Sequence, residues 1–126
     1  MKKNDLTLST LGKTWLIDFD GTIVKHNGHQ TNGHDTFLPG AEEFIKSIPK
    51  KDILIILTAR KEEYREMTLS FLKENGIEYD HVIFNLPAGE RILVNDIKPE
   101  GLKTAVAVNI ERDRGIDFDY VEDANL

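Results

Sequence analysis

Trp15-Leu16-Ile17-Asp18-Phe19-Asp20-Gly21-Thr22-Ile23 sets two carboxylates at i and i+2 on the end of an apolar run, with Gly and Thr directly behind them. Positions i and i+2 of an extended strand share a face, so Asp18 and Asp20 converge just beyond the strand's carboxyl end. Two negative groups held that close repel unless a cation lies between them. A hard divalent ion with oxygen ligands meets that need, Mg²⁺ above all, and it keeps coordination positions open for a phosphate. The pattern points to phosphoryl transfer.

Outward from this stretch, residues 14–19 form a first buried strand and Ile53-Leu54-Ile55-Ile56-Leu57-Thr58 a second without polar interruption. Continuous apolar runs of this kind belong to a parallel sheet covered on both faces. Between them Ala41, Phe44, Ile45 and Ile48 recur at helical spacing, opened by Pro39-Gly40 and stopped before Pro49. A second helix runs from about Lys61 to Asn75, with Tyr64, Met67, Phe71 and Leu72 as its inner stripe, Glu62 and Glu63 at its positive end and Gly76 in the C′ position. Apolar runs at 81–85, 92–95 and 104–110 bring the count to five candidate strands. The expected fold is α/β: one domain over 1–126, a single doubly wound, Rossmann-like parallel sheet of about five strands with helices on both faces and no cap domain. Ligands bind such sheets beyond the carboxyl ends of the strands, where Asp18, Thr58 and Asp96 all fall. Residues 1–13 suit a short helix or an added edge strand equally, and the acidic tail 111–126 is expected to be a solvated terminus.

Three blocks in this order resemble the haloacid dehalogenase superfamily of phosphatases. Asp18-Phe19-Asp20-Gly21-Thr22 is similar to its first signature, Ile55-Ile56-Leu57-Thr58-Ala59-Arg60 to its second and Ile92-Leu93-Val94-Asn95-Asp96 to its acidic fourth. The resemblance implies Asp18 as nucleophile through an aspartyl-phosphate, and Asp20 as acid and then base. Mg²⁺ would be held by Asp18, Asp20 (through its carbonyl) and Asp96, with Asn95 standing where a second acid or a Gly is common. Phosphate would be held by the Thr58 hydroxyl and the N–H that follows it, at the positive end of the second helix. Phe19, Gly21, Thr22, Ala59 and Arg60 are the implied substrate-binding positions, and for Arg60 fixing the loop is an equal alternative. An Asp rather than a Thr at position 20 is the phosphatase pattern, not that of a transport pump. The family's third signature lysine is missing from Asn85-Leu86-Pro87-Ala88-Gly89-Glu90-Arg91, so Lys98 is preferred over Arg91 as the cation that neutralises the transition state.

Composition narrows the classes further. A net charge of −6 speaks against nucleic-acid and anionic-membrane partners, since such a chain lacks the basic stripe that displaces condensed counterions. With no cysteine there is no disulfide or thiolate chemistry. No apolar run is long enough to span a bilayer, and Met1-Lys2-Lys3-Asn4-Asp5 is followed by no apolar leader core, so the cytoplasm is the expected compartment. The expected substrate is a small sugar phosphate or related metabolite. A phosphoprotein phosphatase and a catalytically weak module that binds a phosphorylated ligand are the alternatives. Residues 25–36 carry three histidines in a Gly- and Asn-rich loop, a poor template for zinc. They suit a flap that touches substrate through Lys25 or a histidine, or an inert loop. With no room for a lid, water exclusion would fall to this flap or to a neighbouring copy in a homo-oligomer.

Overall fold

The computed structural model describes residues 5–126; Met1–Asn4, on which the leader reading partly rests, lie outside the described residues. The chain is mixed α/β with parallel strands throughout, divided into two compact units. The first comprises Met1–Leu11, Ala88–Asn109 and Asp117–Leu126, the second Gly12–Pro87 and Ile110–Ile116.

In the second unit β2 (Thr14–Asp18), β3 (Ile53–Leu57) and β4 (His81–Ile83) form a parallel sheet in sequential order. The register pairs Trp15 with Leu54, Ile17 with Ile56 and Ile56 with Val82, which puts these residues on one face. Helix α2 (Ala41–Ser47) meets that face where Phe44 stands edge-on to Trp15 at 5.5 Å. A single 3₁₀ turn (Glu62–Tyr64) leads into α3 (Arg65–Glu74), which meets the same face where Phe71 stands edge-on to Phe19 at 6.3 Å. Phe19, Ile56, Ala41 and Leu72 are fully buried between these layers. The opposite face carries Leu16, Ile53 and Ile83, exposed by 46%, 41% and 43%.

Two expectations are corrected here. The helices cover one face, not both. Strands that follow one another in the same direction, each reached by a right-handed crossover, drop both connecting helices on the same side; a doubly wound sheet needs strands that step back past β2. The runs at 92–95 and 104–110 were to supply those strands, and neither forms one. Ile92 and Val94 are 84% and 87% exposed, so this run buries almost nothing. A bridge between Ile97 and Lys103 turns the chain back on itself, and the Thr104 hydroxyl donates to the Asp96 carbonyl at 2.6 Å and accepts from the Asn95 amide at 3.0 Å.

The first unit contains its own two-stranded parallel sheet, β1 (Asp5–Leu8) with β5 (Asp119–Glu122), so the N-terminal stretch supplies a strand, but in a separate sheet rather than as an edge added to the main one. The acidic tail is therefore structured, while its acidic residues stay largely exposed to solvent as expected. Its earlier part, within the second unit, is equally ordered: Ile116 is buried and its N–H donates to the Pro39 carbonyl at 3.0 Å. Gly40 and Gly115 both have positive φ at this crossing, and a Cβ on Gly40 would meet the Ile116 carbonyl oxygen at 2.5 Å, so each backbone occupies the space a side chain would need.

Helix α3 ends as its sequence dictates. Gly76 takes a φ of 69°, the Gly76 N–H donates to Lys73 and the Ile77 N–H to Leu72, which satisfies the last carbonyls and buries Ile77. At the amino end of the sheet, Asp52 accepts from the Lys13 N–H and the Trp15 indole, both at 3.0 Å, and Asp80 accepts from the Leu54 N–H. These two carboxylates close the lower edge of the sheet. The chemistry-bearing ones stand at the other end.

Candidate active site

Immediately after β2 the chain wraps tightly on itself. The N–H groups of Thr22, Ile23 and Val24 all converge on the Phe19 carbonyl, Gly21 sits at φ 85°, and its N–H returns to the Val24 carbonyl. This turn ties down the pair of carboxylates that flank Phe19. Asp18, the last residue of β2, accepts the Thr22 hydroxyl at 3.1 Å. Thr22 therefore reaches the nucleophile candidate directly. Phe19 has no exposed surface and belongs to the core, and Gly21 is buried beneath the loop.

Thr58, directly after β3, is fully buried and spends its hydroxyl on its neighbours: it donates to Asp20 Oδ2 at 3.0 Å and accepts the Arg60 N–H at 3.1 Å. The N–H groups of Asp20 and Ala59, by contrast, donate to no acceptor among the described residues. Main-chain donors left open to solvent beside the end of a parallel sheet suit an anion.

Arg60 organises everything around it. Its side chain is 2% exposed, and all five of its N–H donors meet protein acceptors. Nε and Nη2 hold Asp20 at 3.1 and 2.9 Å, Nη1 and Nη2 hold Asp35 at 3.1 and 2.6 Å, and Nη1 also reaches the Thr68 hydroxyl at 2.8 Å. The Phe19 ring supports the guanidinium plane from 4.7 Å. Between two carboxylates the guanidinium is held above its usual pKa, although burial acts the other way. No donor is left over for a substrate, so of the two alternatives for Arg60 the geometry favours fixing the loop.

That loop is ordered. Val24 bridges Phe37, the Lys25 N–H bonds to Thr36, and a four-residue helical turn, α1 (Gly28–Thr31), turns His29 inward. The His29 ring stands edge-on to Tyr64 at 4.7 Å, with Nδ1 4.0 Å from an Asp20 oxygen and no hydrogen-bond partner. Lys25 is exposed. Desolvation lowers the His29 pKa, Arg60 adds to the fall, and Asp20 and Asp35 oppose it. Folded His29 is thus neutral at a pH where the unfolded imidazole, near 6.5, begins to bind a proton. Below that pH the unfolded state holds more protons, so stability declines as pH falls through the unfolded value toward the folded one. Melting temperatures taken between pH 7.5 and 5.5 are expected to drop more steeply for the wild type than for His29→Gln; parallel curves would contradict the assignment.

Asp35 and Thr68 carried no signal in the sequence. A single Asp within a Gly- and Asn-rich loop reads as a turn residue, and a Thr on a helix reads as surface, yet both are buried as partners of Arg60. Asp96 and Lys98 belong to the first unit. There Asp96 is exposed, while Lys98 opens a turn closed by the Gly101 N–H on its carbonyl at 2.8 Å. Arg91 is exposed in the same unit.

Fold and site together define an α/β protein with a carboxylate cluster at the carboxyl end of a parallel sheet. No family model matches the chain. No curated protein matches it either. Among solved structures it is similar to a chain of the "Structure of Pnkp1/Rnl/Hen1 complex", at 27% identity and a TM-score of 0.51, over 66% of this chain and 31% of that one. The chain thus spans less than a third of that neighbour's length. Among the described residues no helix is long and apolar enough to cross a membrane, and no three His, Cys, Asp or Glu side chains group as a ready metal site.

Proposed function

We propose that the chain is a Mg²⁺-dependent phosphomonoester hydrolase of the haloacid dehalogenase type, acting on a small phosphorylated metabolite through an aspartyl-phosphate. The observation that carries this reading is the pairing of Asp18 at the end of β2 with an Asp20 whose carboxylate is oriented by Thr58 and Arg60, beside the solvent-facing N–H groups of Asp20 and Ala59. Asp18 attacks phosphorus as the bond to the leaving oxygen breaks, and Asp20 gives that oxygen its proton. Water then attacks the aspartyl-phosphate, Asp20 takes the water's proton, and phosphate leaves as Asp18 is restored.

The residues fit a divalent cation on charge and donor chemistry. With Asp20 carrying the proton that it gives the leaving oxygen, Asp18 and Asp35 against Arg60 leave a formal charge of −1 (two carboxylates less one guanidinium), which repels a dianionic ester, and the donors are oxygens. The Asp18 carboxylate and the Asp20 carbonyl would hold Mg²⁺, which would screen the site's negative charge from the ester. The resemblance implies Asp96 and Lys98 as well, and the proposal rests on the second unit without them.

The test is a panel of phosphate esters assayed with Mg²⁺ and with chelator: sugar phosphates, a phosphopeptide, an aryl phosphate and a phosphorylated oligonucleotide. Turnover of a small ester that chelation abolishes and Mg²⁺ restores is the expected result. Preference for the phosphopeptide would shift the reading to a phosphoprotein phosphatase, and preference for the oligonucleotide would overturn the partner class argued from charge. Binding without turnover of any ester would leave a phospho-ligand module.

A further inference from the structure

Asp35 sits on the loop joining Val24 to Phe37 and has a side chain with no exposed surface. It faces the end of the Arg60 guanidinium, one oxygen on each terminal nitrogen, while Asp20 takes the side edge formed by Nε and Nη2. The guanidinium is a rigid fork, so fixing its end fixes its side. Thr68 takes the remaining Nη1 hydrogen and Phe19 blocks one face of the plane. Asp20 itself is less enclosed, its side chain 15% exposed.

We propose that Asp35 is a positioning residue for the acid–base step: it locks the Arg60 fork, and the fork holds the Asp20 carboxylate toward the leaving-group oxygen. This rests on the phosphatase reading. Without Asp35 two of the five guanidinium donors lose their acceptors, the fork turns to replace them, and Asp20 keeps only the Thr58 hydroxyl as a firm anchor. A loop that looks like a flap over the site is thereby part of its catalytic geometry.

The leaving group separates positioning from mere support. An alkyl phosphate needs a proton on its departing oxygen as the bond to phosphorus breaks, whereas a nitrophenyl phosphate departs as a stable phenolate and needs none. The ratio kcat/KM reports the steps up to aspartyl-phosphate formation, where only the acid role of Asp20 counts. Asp35→Asn is expected to lower kcat/KM for an alkyl phosphate about 100-fold, in the range of a lost general acid, and for nitrophenyl phosphate less than about threefold. Because the same carboxylate must later activate water, the variant should also show a burst of nitrophenol as phosphoenzyme accumulates. Thr68→Val, which removes one Arg60 acceptor from the helix side, should give the same selectivity with a smaller loss, and it decides the matter if Asp35→Asn does not fold. Equal losses on both esters, or no loss on either, in an active wild type would overturn the positioning role. A wild type that turns over neither ester would end the phosphatase reading, and this role with it.

Discussion

Asp18→Asn is expected to release no phosphate from any ester, a loss on the order of 10⁴-fold or more, as removal of a covalent nucleophile typically gives. The substitution keeps size and shape, and an amide oxygen can still accept the Thr22 hydroxyl that Asp18 accepts at 3.1 Å, so the fold should survive. On the proposed mechanism, what disappears is the negative oxygen that would attack phosphorus and, with it, a ligand for the cation. Asp20→Asn should be almost as damaging to turnover but different in kind: the first bond can still form with a good leaving group, so acid-quenched protein should carry a covalent phosphate that Asp18→Asn never shows. Full phosphate release by Asp18→Asn, in protein whose wild type is active, would remove the nucleophile assignment.

The carboxylate pair could be read from sequence because its information is local. Strand phasing alone sends Asp18 and Asp20 to one end of β2, and the same holds for Thr58 after β3 and for Gly76 behind α3. The Ile92-Leu93-Val94 run failed for the opposite reason. An apolar run becomes a strand only where it finds an edge to pair with and a layer to bury it, and these are properties of distant residues. It pairs with no strand and stays largely exposed. The β1–β5 pairing joins residues more than a hundred positions apart, beyond the reach of any periodicity. Asp35 is the sharpest case: the need for a second carboxylate appears only once Arg60 is known to be buried, and nothing within residues 25–36 announces it. The parts of the site set by one strand were legible, and the part set by a buried cation meeting two segments was not.

Arg60→Met should be the most destabilising single change in the second unit. It removes the partner of Asp35, whose side chain has no access to solvent, and strips Asp20 of two of its donors. Breaking a buried pair from one side costs about 3–5 kcal/mol, because the remaining charge is left dry and unpaired. Set against a typical domain stability of about 5–15 kcal/mol, that loss is a large fraction of the whole. Trp15, the single tryptophan, lies in β2 against Phe44 and reports on this unit, so its fluorescence in a urea titration should show the midpoint fall with little change in slope. Arg60→Lys should lie between, since an ammonium keeps the charge but cannot present two edges to two carboxylates. The decisive comparison is the double variant Arg60→Met with Asp35→Leu, in which neither charge remains at the enclosed position: if the cost comes from the stranded carboxylate, the second substitution must restore part of the stability that the first removed. A double variant less stable than Arg60→Met alone would mean instead that Asp35 holds the loop through bonds other than those to Arg60.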